Sequence, residues 1–201
     1  MFLWVFQRIY RLERAGSMTE ILEALIEALH SDSRRERQEA ATRLGAICHE
    51  HPEVMTPYID EFVRALNYPE AQTRWECLDI LSVMVGLESR LCDKAIPGAE
   101  SALFDENSGA LREAAMRFLC TLGATTENRS LKTWELIDEA IQCYHGDPEF
   151  TDMLIAVTAF SEGKLAASVK DALKERMEFD AYNARGSLKR RAQVILDNVS
   201  K

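Results

Sequence analysis

A 37-residue recurrence constrains this chain more than any other feature. Glu39, Glu76 and Glu113 stand in similar frames that run Leu29 to Ile47, Leu66 to Met84 and Leu103 to Thr121. Only the last frame ends on a polar residue. An alanine precedes each opening leucine (Ala28, Ala65, Ala102), and a branched aliphatic residue lies seven before it (Leu22, Ile59, Ile96). A fixed period of this length belongs to stacked helical hairpins, each of which buries its apolar face only against its neighbours.

The local signals agree with that architecture. Ser17-x-x-Glu20 and Ser33-x-x-Glu36 have the form of capping boxes, whose side chains satisfy free amides of the first helical turn. Asn67 before Pro69, and Asp147 before Pro148, pair a cap residue with a proline tolerated in an opening turn. Pro52, Gly123, Gly146 and Gly163 mark stops. The spacing predicts helices over 18–30, 34–49, 53–66, 70–86, 91–103, 109–122, 131–144, 149–161, 165–178 and 184–199. Apolar stripes at i, i+3, i+4 and i+7 recur in first helices (Leu22, Leu25, Ile26, Leu29) and in second helices (Cys77, Leu78, Leu81, Met84, Val85). The fifth pair opens on a charged helix with Lys170, Asp171, Lys174, Glu175 and Arg176, as a closing pair with a polar outer face would.

Over about residues 18–161 the chain resembles the HEAT-repeat (armadillo-like) family. The resemblance rests on Asp32 through Ala41 and on Asp105 through Ala115, each an Asp-containing turn leading into a second helix with a basic residue followed by small ones. It implies an all-α, right-handed α-α superhelix, a short solenoid of about five antiparallel helix pairs. Repeats would occupy 17–163 and a closing helix pair 164–201. In that family a turn Asp and a second-helix Arg form a stabilising ladder. In the glutamate frame Arg112 has Asp105 and Glu106 upstream, but its counterparts are Gln38 and Trp75, so only part of the ladder is expected. HEAT arrays serve mainly as scaffolds, although some relatives look like DNA-repair glycosylases or pigment lyases.

Net charge is −9 and unevenly placed: residues 1–16 carry +2, residues 185–201 carry +4, and the stretch between carries −15. An acidic body repels phosphate backbones, so nucleic acid is disfavoured and a basic protein or peptide is the better partner. Five scattered cysteines without a C-x-x-C pair fit a reducing, cytoplasmic setting and buried roles in helices. No apolar run approaches the ~20 residues of a bilayer span. Residues 1–16 place Phe2, Val5, Phe6 and Ile9 opposite Arg8, Arg11 and Arg14. That pattern suits a lid over the first repeat or a basic amphipathic helix on a membrane surface, and Gly16-Ser17-Met18 also fits an alternative start.

No catalytic, metal or cofactor site emerges. His49-Glu50-His51 lacks the i, i+4 histidines of a helical zinc site and fits solvated helix-end residues. Cys48 and Cys143 each have a histidine within two residues, a spacing that points the side chains apart on a helix. No glycine-rich phosphate loop or nucleophile elbow is present. Glu39 with Arg43, and Glu113 with Arg117, form ordinary i, i+4 pairs.

The face opposite each second-helix stripe carries the functional expectation. At ~100° per residue it holds Gln38, Thr42, Gly45 and His49, then Trp75, Asp79, Ser82 and Gly86. The same phase gives Arg112, Met116, Leu119 and Gly123, and then Phe150, Leu154, Val157 and Ser161. The expected partner site is therefore a concave groove of Trp75, Glu76, Asp79, Arg112, Met116, Leu119, Phe150, Leu154 and Val157, growing apolar toward the C-terminus. The function this implies is a non-enzymatic scaffold that binds a protein or peptide. The alternatives are a HEAT-type enzyme acting on nucleic acid or a pigment, and an acidic inhibitor of a basic protein.

Overall fold

The computed structural model describes residues 17–201, so the proposed lid or membrane helix of residues 1–16 lies outside the described residues. Ten α-helices follow one another: α1 Met18–Leu29, α2 Arg34–Glu50, α3 Ile59–Ala65, α4 Ala71–Cys92, α5 Ile96–Leu103, α6 Gly109–Gly123, α7 Glu127–Cys143, α8 Phe150–Ser161, α9 Ala167–Asn183 and α10 Gly186–Val199. Short 3-10 turns, Pro52–Tyr58 and Asp93–Ala95, lead into α3 and α5. No strand occurs among the described residues. The chain divides into two compact units between Leu91 and Cys92. No helix of the described residues is long and apolar enough to cross a membrane.

In the first unit α1 packs on α2, and their starts follow from the serine caps. Ser17 and Glu20 form the full reciprocal box. Ser33 accepts from the Glu36 amide, but the return half is relayed. The Ser33 amide donates to Ser31 Oγ at 3.1 Å, and that hydroxyl donates to the Glu36 carboxylate. The helix expected from residue 70 starts at Ala71, after Glu70 rather than an Asn67–Pro69 cap, and the Glu70 carbonyl accepts from the Arg74 amide. Asn67 spends its side chain on the Arg64 carbonyl, which ends the preceding helix. Helix α4 loses regular geometry at Glu88 (φ −138°, ψ 57°), within the break expected between 86 and 91.

In the second unit the first helices α5, α7 and α9 form one layer and the second helices α6, α8 and α10 the other. Thr126 caps α7 by accepting from the Arg129 amide, so this helix begins at Glu127, four residues before the expected start. Asp147 and Pro148 lie in a turn ahead of Glu149, and α8 begins at Phe150. Gly146 sits at φ +95°, a conformation that turns the chain out of α7 and suits glycine. Gly123 has a different role. It is helical, and a Cβ there would lie 2.3 Å from Thr133 Oγ1 and 2.8 Å from the Phe160 ring. It lets α6, α7 and α8 meet without a gap.

The arginine ladder is fuller than the glutamate frame suggests. The fourth residue of α2, α4 and α6 is Arg37, Arg74 and Arg112 respectively. Arg37 and Arg74 are each 8% exposed, among the few buried charges of the chain. Within the first unit Arg37 Nη1 donates to the Ser31 carbonyl at 2.7 Å while its other nitrogens bind the Glu70 carboxylate. The guanidinium also lies 4.7 Å from the centre of the Tyr68 ring. Arg112 repeats the pattern in the second unit: Nη1 donates to the Asp105 carbonyl at 2.7 Å, Nε donates to Glu149 Oε1 at 2.8 Å, and Tyr144 lies 5.0 Å away. Each tyrosine then ties back to the end of the preceding first helix, Tyr68 to His30 and Tyr144 to the Leu103 carbonyl, both at 2.9 Å. First helices of the second unit add rungs of their own, Arg129 with Asp93 at 2.7 Å and Arg176 with Asp138 at 2.6 Å.

The Arg37 and Arg112 rungs each join a second helix to the residue that opens the next one, so they fix both spacing and rotation. Burial alone would raise the Glu149 pKa, but the hydrogen bonds and charge of Arg112 outweigh it and hold the carboxyl below the usual range. A carboxylate whose pKa is depressed on folding stabilises the fold above its unfolded value, and that contribution is lost as pH falls through the folded value. Replacing Arg112 with methionine strands this carboxylate and is expected to cost about 3 kcal/mol in urea denaturation at neutral pH, with a smaller penalty at acid pH. Equal stability of the variant and the parent at neutral pH would contradict this role.

Candidate functional site

The ladder register decides which second-helix residues face solvent. Ser33, Glu70, Ser108 and Glu149 immediately precede α2, α4, α6 and α8, so the structural repeats are 37, 38 and 41 residues long. Glu39 and Glu76 occupy the sixth position after those starts, but Glu113 occupies the fifth. One residue turns a helix by ~100°, so Glu113 is out of phase with the other two relative to its own helix start. Glu39 and Glu113 nevertheless make the expected pairs with Arg43 at 3.0 Å and Arg117 at 2.8 Å.

The same slip corrects the apolar groove. Met116, Leu119, Leu154 and Val157 are fully buried and Phe150 is 3% exposed. They form the contact of α6 with α8 and of α8 with α10 rather than an open floor. Phe150 also packs against the His145 ring, 4.9 Å between centres. Arg112 is half-buried and engaged by Glu149 and the Asp105 carbonyl. The exposed positions of α8 are instead Asp152, Ile155 and Ala159, with Glu162 exposed just past its end.

Trp75, Glu76 and Asp79 are half-buried on α4. Glu76 reaches toward α2, where Thr42 Oγ1 donates to its Oε1 at 2.9 Å and the Gln72 amide in turn donates to Thr42 at 3.3 Å. Its other oxygen lies 3.2 Å from where a Cβ on Gly45 would stand, so the small residue leaves room for the carboxylate. Beside it lies a cleft of about 100 Å³ whose walls include Gly45, His49, Glu76, Asp79 and Val83. Thr42 and Gly45 belong to the outward face expected from sequence, but their part in orienting Glu76 is visible only once α2 and α4 are packed.

Burial pushes the Cys48 thiol up to about 11, and burial, aided at Cys77 by the adjacent Glu76 charge, raises Cys77 and Cys120 further. Cys143 departs from the expectation of buried cysteines. It is the last residue of α7 and exposed. Its neighbour His145 turns away to Asp180 at 3.0 Å. His51 ends α2 through its backbone amide, whereas His49 lines the cleft. His30 bridges Glu61 at 2.9 Å and Tyr68, and burial together with Arg64 lowers its pKa against the pull of Glu61.

No protein-family profile and no curated protein sequence matches the chain. Solved structures do match. A designed armadillo repeat protein in complex with the peptide (KR)4 superposes with a TM-score of 0.73 at 15% identity, covering 95% of this chain and 85% of its own. The fold is an armadillo/HEAT-like helical repeat. Computationally designed armadillo repeat proteins for modular peptide recognition give a TM-score of 0.70 at 15% identity, with 94% and 85% covered. A further engineered protein gives 0.70 at 18% identity, with 95% and 84% covered.

Leu119 separates a core role from a partner-facing one. Leu119→Ala is expected to cost about 2–5 kcal/mol in chemical denaturation, as for a buried leucine that leaves a cavity. A loss below about 0.5 kcal/mol, the range of surface substitutions, would return it to the surface.

Proposed function

We propose that the protein is a peptide-binding repeat module whose first unit receives a basic side chain on its second-helix face, between α2 and α4. The observation that carries this reading is the Glu76 carboxylate, oriented by Thr42 and admitted by Gly45 at the edge of a cleft shared with Asp79. A cleft of about 100 Å³ suits the end of one lysine or arginine side chain rather than a whole small-molecule substrate. Two neighbouring carboxylates would hold that cation by charge-assisted hydrogen bonds.

Charge supports the choice of partner. The chain carries −9 overall, which speeds encounter with basic segments and opposes approach of a phosphate backbone. The similarity in fold to a designed repeat protein that holds (KR)4 supports a peptide as the ligand class. On this reading the chain acts as a scaffold or adaptor: affinity comes from presentation of an extended segment along helix faces, and no chemical step is required.

Fluorescence polarisation with a labelled alternating Lys-Arg octapeptide tests the reading. Glu76→Gln with Asp79→Asn is expected to weaken binding about tenfold or more, and added salt to weaken it further. Removing two exposed carboxylates elsewhere, Glu135→Gln with Glu139→Gln, is expected to change affinity less than about threefold, the scale of weak surface charge effects. Equal losses from the two double variants would reduce the interaction to bulk charge and overturn the site.

A further inference from the structure

Outside the first unit, the face formed by α8 and α10 carries a second cleft of opposite chemistry. It has a volume of about 340 Å³, an apolar wall of Ile155, Ala159 and Val194, and two guanidiniums, Arg190 and Arg191, against the single carboxylate of Glu162. Ile155 is 53% exposed and Val194 44%, large aliphatic side chains left uncovered on adjacent helices. Arg191 Nη1 is shielded from solvent and has no hydrogen-bond partner. A donor in that state costs free energy until an acceptor reaches it. The C-terminal segment is an island of positive charge, since residues 185–201 carry +4 in a chain of −9. Nearby Lys189 donates to the Tyr182 carbonyl at 3.1 Å, which leaves Arg190 and Arg191 as the cations on the cleft wall.

We infer that this cleft docks an acidic segment of a partner protein by inserting one apolar anchor side chain between α8 and α10 while a flanking carboxylate accepts from Arg191. The volume accommodates a leucine- or phenylalanine-sized group, and the exposed walls suit one anchored side chain better than an enclosed small ligand. A polyanionic nucleic acid fits less well. The floor is aliphatic rather than aromatic, so it offers no stacking platform, and the strongly acidic remainder of the chain repels a long phosphate backbone. A short peptide needs only one or two carboxylates and places its apolar residue where water is least favourable. The inference is independent of the basic-peptide site on α2 and α4, which lies in the other unit and selects the opposite charge.

The test uses the full chain and a labelled nonapeptide with a central leucine flanked by aspartate and glutamate residues. Saturable binding is expected, with methyl NMR signals of Ile155 and Val194 shifting on titration. Arg191→Glu and Ile155→Asp are each expected to weaken binding about tenfold or more, and so is exchange of the peptide's leucine for serine. Glu76→Gln with Asp79→Asn is expected to leave this peptide's affinity unchanged, which separates failure here from failure of the other site. Both cleft substitutions fall on incompletely buried positions, and thermal melts matching the parent establish that any loss is not unfolding. Absence of saturable binding, equal affinity for the leucine and serine peptides, or affinity unmoved by either cleft variant would overturn the inference. Stronger competition by a single-stranded oligonucleotide than by unlabelled peptide would overturn it as well.

Discussion

An arginine at the fourth position of a second helix in each unit, Arg37 of α2 and Arg112 of α6, sets the geometry on which the rest depends. A guanidinium has five donors in a rigid planar fork. In Arg37 and Arg112 that fork is shared among the carbonyl of the preceding turn, the carboxylate that opens the next second helix, and the face of a tyrosine. Apolar packing alone tolerates small rotations of one helix on another. An arginine–carboxylate pair near the helix start does not, because its bonds weaken steeply with angle. The rungs therefore convert loosely patterned leucine and alanine stripes into one rotational setting, at the cost of desolvating charges that only well-made partners offset.

That setting determines what each second helix shows to solvent. In the first unit it turns Thr42, Gly45 and His49 of α2 toward Glu76 and Asp79 of α4, producing a small acidic cleft. In the second unit it turns Leu154 and Val157 of α8 inward and Ile155 outward beside Val194 of α10. Equivalent positions of one repeated frame thus carry opposite charge at two places. A shared backbone plan leaves surface residues free to vary, which is how repeat proteins acquire selectivity without altering the core.

Much of this architecture is legible in the sequence, for local reasons. Ser17, Ser33 and Ser108 precede helices whose stripes have the 3.6-residue period, so their starts are determined by backbone amides that need acceptors. The phase of the surface is less legible. The glutamate spacing of 37 persists through Glu113, although the helix that carries it starts 38 residues after its predecessor. A count from the glutamates therefore rotates α6 by one residue and makes Met116 and Leu119 look exposed. Arginines hold the better frame, and Arg37 and Arg74 are visible in the sequence at a spacing of 37, followed by Arg112 after 38. What hides them is that a charged residue is ordinarily assigned to the surface. The relay of Ser31 to Glu36, the close approach at Gly123 and the support of Glu76 by Thr42 depend on packing between residues near or far in the chain. No periodicity announces them.

The central claim is that the arginine frame, rather than the glutamate frame, fixes which residues of the second helices face outward. Cysteine accessibility along α6 and α8 tests it most directly, with single cysteines at Ala110, Met116, Leu154, Ile155 and Val157 in a Cys143→Ser background, labelled under native conditions. The account predicts rapid labelling at 110 and 155 and protection at 116, 154 and 157. Rapid labelling at 116, 154 and 157 with protection at 155 would contradict it.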